Sequence, residues 1–180
     1  MIMKKSVFTI SVVFGFACML IIPAKVSAQF KLTVVEKMVQ NAHPVPNISH
    51  DRLKQILASK DSNQVVIFDV REPEEYKMSH IRKAVNISSE ISESDFARLY
   101  GAAIKGKLVV FYCSVGYRSS ICLERLKNVF KQYSVVQIAN LLGGIFRWYN
   151  EGNLVVNVKG QTNDMHPYNQ HWGKLVQKRD

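Results

Sequence analysis

Two short runs of apolar and β-branched residues constrain this chain most. Val65-Val66-Ile67-Phe68-Asp69-Val70 and Leu108-Val109-Val110-Phe111-Tyr112 are continuous rather than alternating. Continuous runs of this length belong to strands covered on both faces, the condition of a parallel sheet. Helical spacing fills the gaps around them. Residues 31–41 place Leu32, Val35, Met38 and Val39 on one face, and a break at Pro44 and Pro46 follows. Ser49 or Asp51 then caps a helix through Ala58. Pro73 suits the first turn of a short helix holding Glu74, Glu75 and Tyr76. Further elements are a strand at 84–87, a helix at 92–100 stopped by Gly101, a helix at 119–130 and a strand at 134–138. Leu142-Gly143-Gly144 then turns into a helix ending near Gly152. Strands alternating with helices predict an α/β fold, an open and mainly parallel sheet with helices on both faces.

The N-terminus reads as an address. A basic start at Lys4 and Lys5 precedes an uncharged apolar stretch over 6–24, then Val26-Ser27-Ala28. That order is the pattern of a secretory signal peptide with cleavage after Ala28, and it predicts an exported, periplasmic protein. The rival reading is an uncleaved membrane anchor. The expected organisation is a signal peptide at 1–28, a helical extension at 29–44, the α/β domain at 45–156 and a tail at 157–180. The tail is expected to pack Tyr168 and Trp172 onto the domain and to wall its site.

Composition narrows the function. With 47% hydrophobic and 21% charged residues the chain is not disordered, and three Cys are too few for a disulfide scaffold. The net charge of +10 is spread along the chain in runs no longer than pairs, such as Arg82-Lys83. Nucleic-acid readers cluster their cations, so no nucleic-acid partner is expected and small anions suit the charge better. His166 and His171 have no third ligand nearby, and no metal site or cofactor is expected.

Cys113-Ser114-Val115-Gly116-Tyr117-Arg118 carries the chemistry. Ligands of open α/β sheets bind beyond the carboxyl ends of the strands, and Cys113 sits there, before a helix near Ser119. Backbone N–H groups of a tight loop, the positive end of the following helix and the Arg118 cation all favour thiolate over thiol. The expected consequence is a nucleophilic Cys113 with a lowered pKa. Gly116 lets the backbone curl at positive φ.

Cys113, Gly116, Arg118 and Ser119 form a Cys-x-x-Gly-x-Arg-Ser pattern that resembles the active loop of the rhodanese, or sulfurtransferase, family. The run from Asp69 through Arg71 to Glu75-Tyr76, the run from His80-Ile81 to Ala84-Val85-Asn86-Ile87, and Gly143-Gly144 with Trp148 resemble three further family segments in the same order. Ser79 stands where the family has Gly, and Arg82-Lys83 where it has Pro-Gly.

The resemblance implies sulfur transfer through a Cys113 persulfide, from a small anionic donor such as thiosulfate to a thiol acceptor. Cys113 and Arg118 are the catalytic pair it implies; Ser114, Val115, Gly116, Tyr117 and Ser119 form the substrate-binding loop, and Asp69 and Arg71 brace the active-site end of the sheet. Trp148 is expected in the core or at the donor pocket. Four residues separate Cys113 from Arg118; rhodanese-like phosphatases carry one more, so the tighter loop favours sulfur over phosphate. Cys122 is expected as a buried structural residue. Two rival readings are a non-catalytic rhodanese module that binds a partner protein and a periplasmic thiol redox protein pairing Cys113 with Cys122.

Overall fold

A computed structural model of the chain describes residues 24–179. The expected leader falls almost wholly outside the described residues, and the expected cut after Ala28 lies within the first helix. Among the described residues no helix is long and apolar enough to cross a membrane.

Five strands form one sheet: β1 (Asn47–Ile48), β2 (Val65–Asp69), β3 (Ala84–Asn86), β4 (Leu108–Tyr112) and β5 (Gln137–Leu141). Their order is β1-β5-β4-β2-β3 and every pairing is parallel. The helices are α1 (Ala24–Ala42), α2 (His50–Ala58), α3 (Pro73–Met78), α4 (Glu93–Ile104), α5 (Tyr117–Arg125), α6 (Lys127–Gln132), α7 (Gly144–Asn150) and α8 (Gln170–Gly173). A small antiparallel hairpin, β6 (Val155–Asn157) with β7 (Gly160–Thr162), follows α7.

Alternation along the central strands splits the core in two. Ile67, Val110 and Tyr112 face one side with Leu32, Leu53, Ile145 and Phe146. Phe68, Val109 and Phe111 face the other with Phe96, Leu123 and Phe130. Both faces of the sheet are therefore covered, as the continuous apolar runs require.

Several boundaries differ from the sequence reading. Gly101 does not stop α4, which continues to Ile104. A Cβ at Gly101 would lie 2.3 Å from the Tyr133 ring, so the glycine admits a close neighbour. The helix expected at 119–130 begins two residues earlier and kinks at Leu126. The kink lets Leu126, Val129 and Phe130 all enter the same core. The strand expected at 134–138 lies at Gln137–Leu141. Ser134 adopts a positive φ and Val136 is exposed, so the apolar residues ahead of the strand belong to a turn. β1 is a two-residue strand directly after the break at Pro44 and Pro46, where none is expected.

The turn after Ile81 closes without the family's Pro-Gly. Lys83 supplies the left-handed residue, at φ 68°, and Ala84 N–H bonds the Ile81 carbonyl at 3.0 Å.

Candidate active site

β4 ends at Tyr112 and delivers Cys113 to the carboxyl edge of the sheet. Gly116 is the N-cap of α5, at φ 98°. This left-handed residue folds the loop back on itself, and Gly116 N–H points at the Cys113 sulfur at 3.2 Å. Tyr117 and Arg118 thus belong to the first turn of α5 rather than to the loop, and the positive end of that helix faces Cys113.

The loop is gripped from beneath by α7. Ile145 N–H bonds the Cys113 carbonyl at 2.9 Å and Phe146 N–H bonds the Ser114 carbonyl at 3.0 Å. With the carbonyls held by α7, the loop amides are left to the other side. Gly144, at φ 59°, makes this approach possible, since a Cβ there would lie 2.4 Å from the Cys113 carbonyl oxygen.

A second brace comes from β5. Asn140 Nδ2 donates to the Gly116 carbonyl at 3.2 Å and to Ser120 Oγ at 3.0 Å, while its Oδ1 accepts from Ser119 Oγ at 2.7 Å. Ser119 therefore points into this buried network and is not among the residues that line the cavity described below.

The third brace is Glu75, buried at the side of the loop. It accepts from Ser114 Oγ at 3.0 Å and pairs with Arg118 at 3.0 Å. Glu72 approaches the same guanidinium at 3.6 Å. The loop's cation is thus already partnered by carboxylates. The ring of Tyr168 lies 4.9 Å from the Arg118 Cζ. Burial works against the Arg118 charge, but the Cys113 sulfur, Glu75 and the Tyr168 hydroxyl outweigh it and hold the guanidinium above its ordinary range.

Cys113, Ser114, Val115, Tyr117 and Arg118 line a cavity of about 300 Å³ with Tyr168 and Trp172 of the C-terminal segment. That segment is pinned to α7. Tyr149 Oη donates to the Asn163 carbonyl at 2.6 Å, Asn150 Nδ2 donates to the Leu175 carbonyl at 2.7 Å, and Arg179 stacks on the Tyr149 ring at 3.6 Å.

Asp69 and Arg71 stand apart from the cavity. They form a fully buried ion pair at 2.7 Å, and Arg71 also donates to the Ser79 carbonyl at 2.6 Å. Asn86 Nδ2 ties the carbonyls of both residues together at 3.0 and 2.9 Å. They brace the strand ends beside the site. His80 stacks on Tyr76 at 3.9 Å and serves the same turn. Trp148 is in the core, with its indole N–H on the Leu154 carbonyl at 2.9 Å, and does not line the Cys113 cavity.

Cys113 and Cys122 are both free thiols. Cys122 is buried on α5, and burial pushes its thiol above the ordinary range.

A model of the rhodanese-like domain matches residues 49–151, more than half of the chain. The chain belongs to the rhodanese-like domain family. A probable molybdopterin-synthase adenylyltransferase of Porphyra purpurea is 30% identical over 133 residues, which cover 69% of this chain and 32% of the relative. The thiosulfate:glutathione sulfurtransferase of Saccharomyces cerevisiae is 29% identical over 92 residues, covering 46% of this chain and 66% of that one. Among solved structures, the thiosulfate sulfurtransferase of Pseudomonas aeruginosa superposes with a TM-score of 0.54 at 21% identity, over 80% of this chain and 26% of that one. The chain thus spans well under half of the algal and Pseudomonas proteins. These likenesses agree with the α/β rhodanese-like fold and the parallel sheet.

Glu75 and Asn140 are the site residues that sequence reasoning missed. Glu75 lay inside a recognised segment but carried no role, because only the fold brings it beside a loop 39 residues away. Asn140 interrupts an apolar strand, and a buried polar residue in such a run was the available signal.

Proposed function

We propose that this rhodanese-like domain is a sulfurtransferase that carries sulfane sulfur as a persulfide on Cys113. The observation that carries the reading is the placement of the Cys113 sulfur: in contact with a loop N–H, at the positive end of α5, and lining a cavity wide enough for a small donor. In the first half-reaction the Cys113 thiolate attacks the outer sulfur of thiosulfate. A new S–S bond forms, the donor's S–S bond breaks, and sulfite leaves with the electron pair. The persulfide anion inherits the same surroundings, and loop N–H groups and the α5 dipole hold its charge. In the second half-reaction a thiophilic acceptor takes the outer sulfur and returns the electron pair to Cys113.

Arg118 positions rather than tethers in this reading. Its charge is shared with Glu75 and Glu72, so a dianion such as thiosulfate gains less from it than from an unpaired guanidinium. Thiosulfate is accordingly a usable but weak donor.

The leader pattern supports export of this activity to the periplasm. The acceptor there is a thiol.

Steady-state kinetics with thiosulfate and cyanide test the proposal. Covalent double displacement gives parallel double-reciprocal lines as one substrate is varied at fixed levels of the other, and Cys113→Ser gives no turnover. Intersecting lines, or turnover by Cys113→Ser, would contradict it.

A further inference from the structure

The two segments that flank the family match converge on its active loop. Val35, Met38, Val39 and Ala42 of α1 meet Val115, Tyr117 and Trp172 around a second cavity of about 340 Å³. Residues 35–42 precede the matched region and Trp172 follows it. No charged side chain lines this cavity. It shares Val115, Tyr117 and Trp172 with the Cys113 cavity, so the two are continuous.

α1 is fixed in this position. Glu36 and Arg147 form a largely buried bidentate pair, with both contacts at 2.6 Å, and Arg147 also donates to Thr33 Oγ1 at 2.9 Å. Leu32 packs fully buried on the same side. An apolar stripe also runs along the outer face of α1, beside the exposed Lys31 and Lys37. Phe30, Val34 and Met38, spaced by four, are 70%, 43% and 65% exposed. They lead from solvent toward the cavity.

We infer that the sulfur acceptor is a small thiol borne on an apolar body, whose hydrocarbon part lies in the groove between α1 and Trp172 while its sulfur reaches Cys113. The inference rests on the proposed persulfide chemistry and names its acceptor class. Continuity with the Cys113 cavity sets the distance, and the volume falls in the range of small-ligand sites. A charged hydrophilic thiol finds no partner for its polar groups on these walls. The step is balanced without a further reactant. The acceptor thiolate attacks the outer sulfur of the Cys113 persulfide, a new S–S bond forms on the acceptor, the Cys113 S–S bond breaks, and its electron pair returns to the Cys113 sulfur.

The test discharges protein charged with thiosulfate into ethanethiol, butanethiol and hexanethiol, with glutathione as the hydrophilic comparison. Intrinsic nucleophilicity changes little along the alkyl series, so a gradient reads the groove. The expected rate rises about four-fold per methylene, and Met38→Lys flattens the gradient while Met38→Leu retains it. A flat series in the wild type, or an unchanged gradient in Met38→Lys, would overturn the inference.

A second arm needs no sulfur chemistry. Hexanethiol titrated into Cys113→Ala changes tryptophan fluorescence saturably, Met38→Lys in that background weakens the binding, and glutathione gives no response. If no sulfane donor charges Cys113 but this binding persists, the sulfurtransferase reading fails and the groove stands. Absence of saturable binding, or a dimer whose formation displaces hexanethiol, would overturn the groove assignment.

Discussion

Glu75 and Arg118 meet at 3.0 Å at the rim of the Cys113 cavity, the carboxylate buried and the guanidinium partly open. The one cation of the active loop therefore arrives already neutralised, a relationship that decides how the site treats anions.

Glu75→Gln keeps an acceptor for Ser114 Oγ and removes the charge. Arg118 then faces the cavity with its cation uncompensated on this side. The second-order rate of charging by thiosulfate is expected to rise roughly five-fold, the size of a partly screened charge interaction. Stopped-flow measurement of sulfite release checks this, and a large fall with the fold intact would show that Glu75 acts chiefly by holding the loop.

Gly144→Ala attacks the grip of α7 on the loop. Its Cβ would meet the Cys113 carbonyl oxygen at 2.4 Å, and its φ of 59° disfavours any side chain. Left-handed strain and overpacking together predict a loss of about 3 kcal/mol, with persulfide formation abolished. Urea denaturation and a charging assay on the same preparation report both effects.

Lys83→Gly is expected to run the other way. Lys83 holds φ 68° in an exposed turn, where glycine is unstrained. A gain of about 1 kcal/mol is expected, with charging unchanged. A thermal melt that moves downward would show that the Lys83 side chain, which reaches Ser62 Oγ at 3.3 Å, contributes more than the strain removes.

His50 gives the fold an acid limit. Burial lowers its pKa to about 4, nearby Arg147 adds to this, and its hydrogen bond to the Leu142 carbonyl opposes it. The native state thus prefers the neutral ring, whereas the unfolded chain takes up a proton near pH 6.5. Stability from this residue is complete above pH 6.5 and is lost as pH falls toward 4, by about 2 kcal/mol at pH 4.5. Leu142 begins the turn into α7, so acid loosens the support of the active loop. Urea denaturation at pH 7 and 4.5 should show a smaller drop for His50→Gln than for the wild type; equal drops would assign the acid sensitivity to other groups.

Much of this arrangement was legible before any coordinates. Val65–Asp69 and Leu108–Tyr112 declared themselves because burial on both faces demands continuous apolar side chains. The Cys113 loop was legible because its glycine and its position after a strand are local facts. β5 is harder to place because its buried centre includes Ala139 and Asn140, so apolar patterning points instead to the partly buried Val135 and the exposed Val136 ahead of it. Gly101 was misread because its reason, the Tyr133 ring, lies on another element. The Glu75–Arg118 pair and the α1 groove were illegible for the same cause: both join segments distant in sequence, and no local pattern records which side chains a sheet edge brings together.

The most direct measurement is the intact mass of the protein after incubation with thiosulfate, beside Cys113→Ala treated alike. A gain of one sulfur atom in the wild type alone, reversed by cyanide, is the predicted result. No gain with any sulfane donor, or an equal gain in Cys113→Ala, would contradict a persulfide on Cys113.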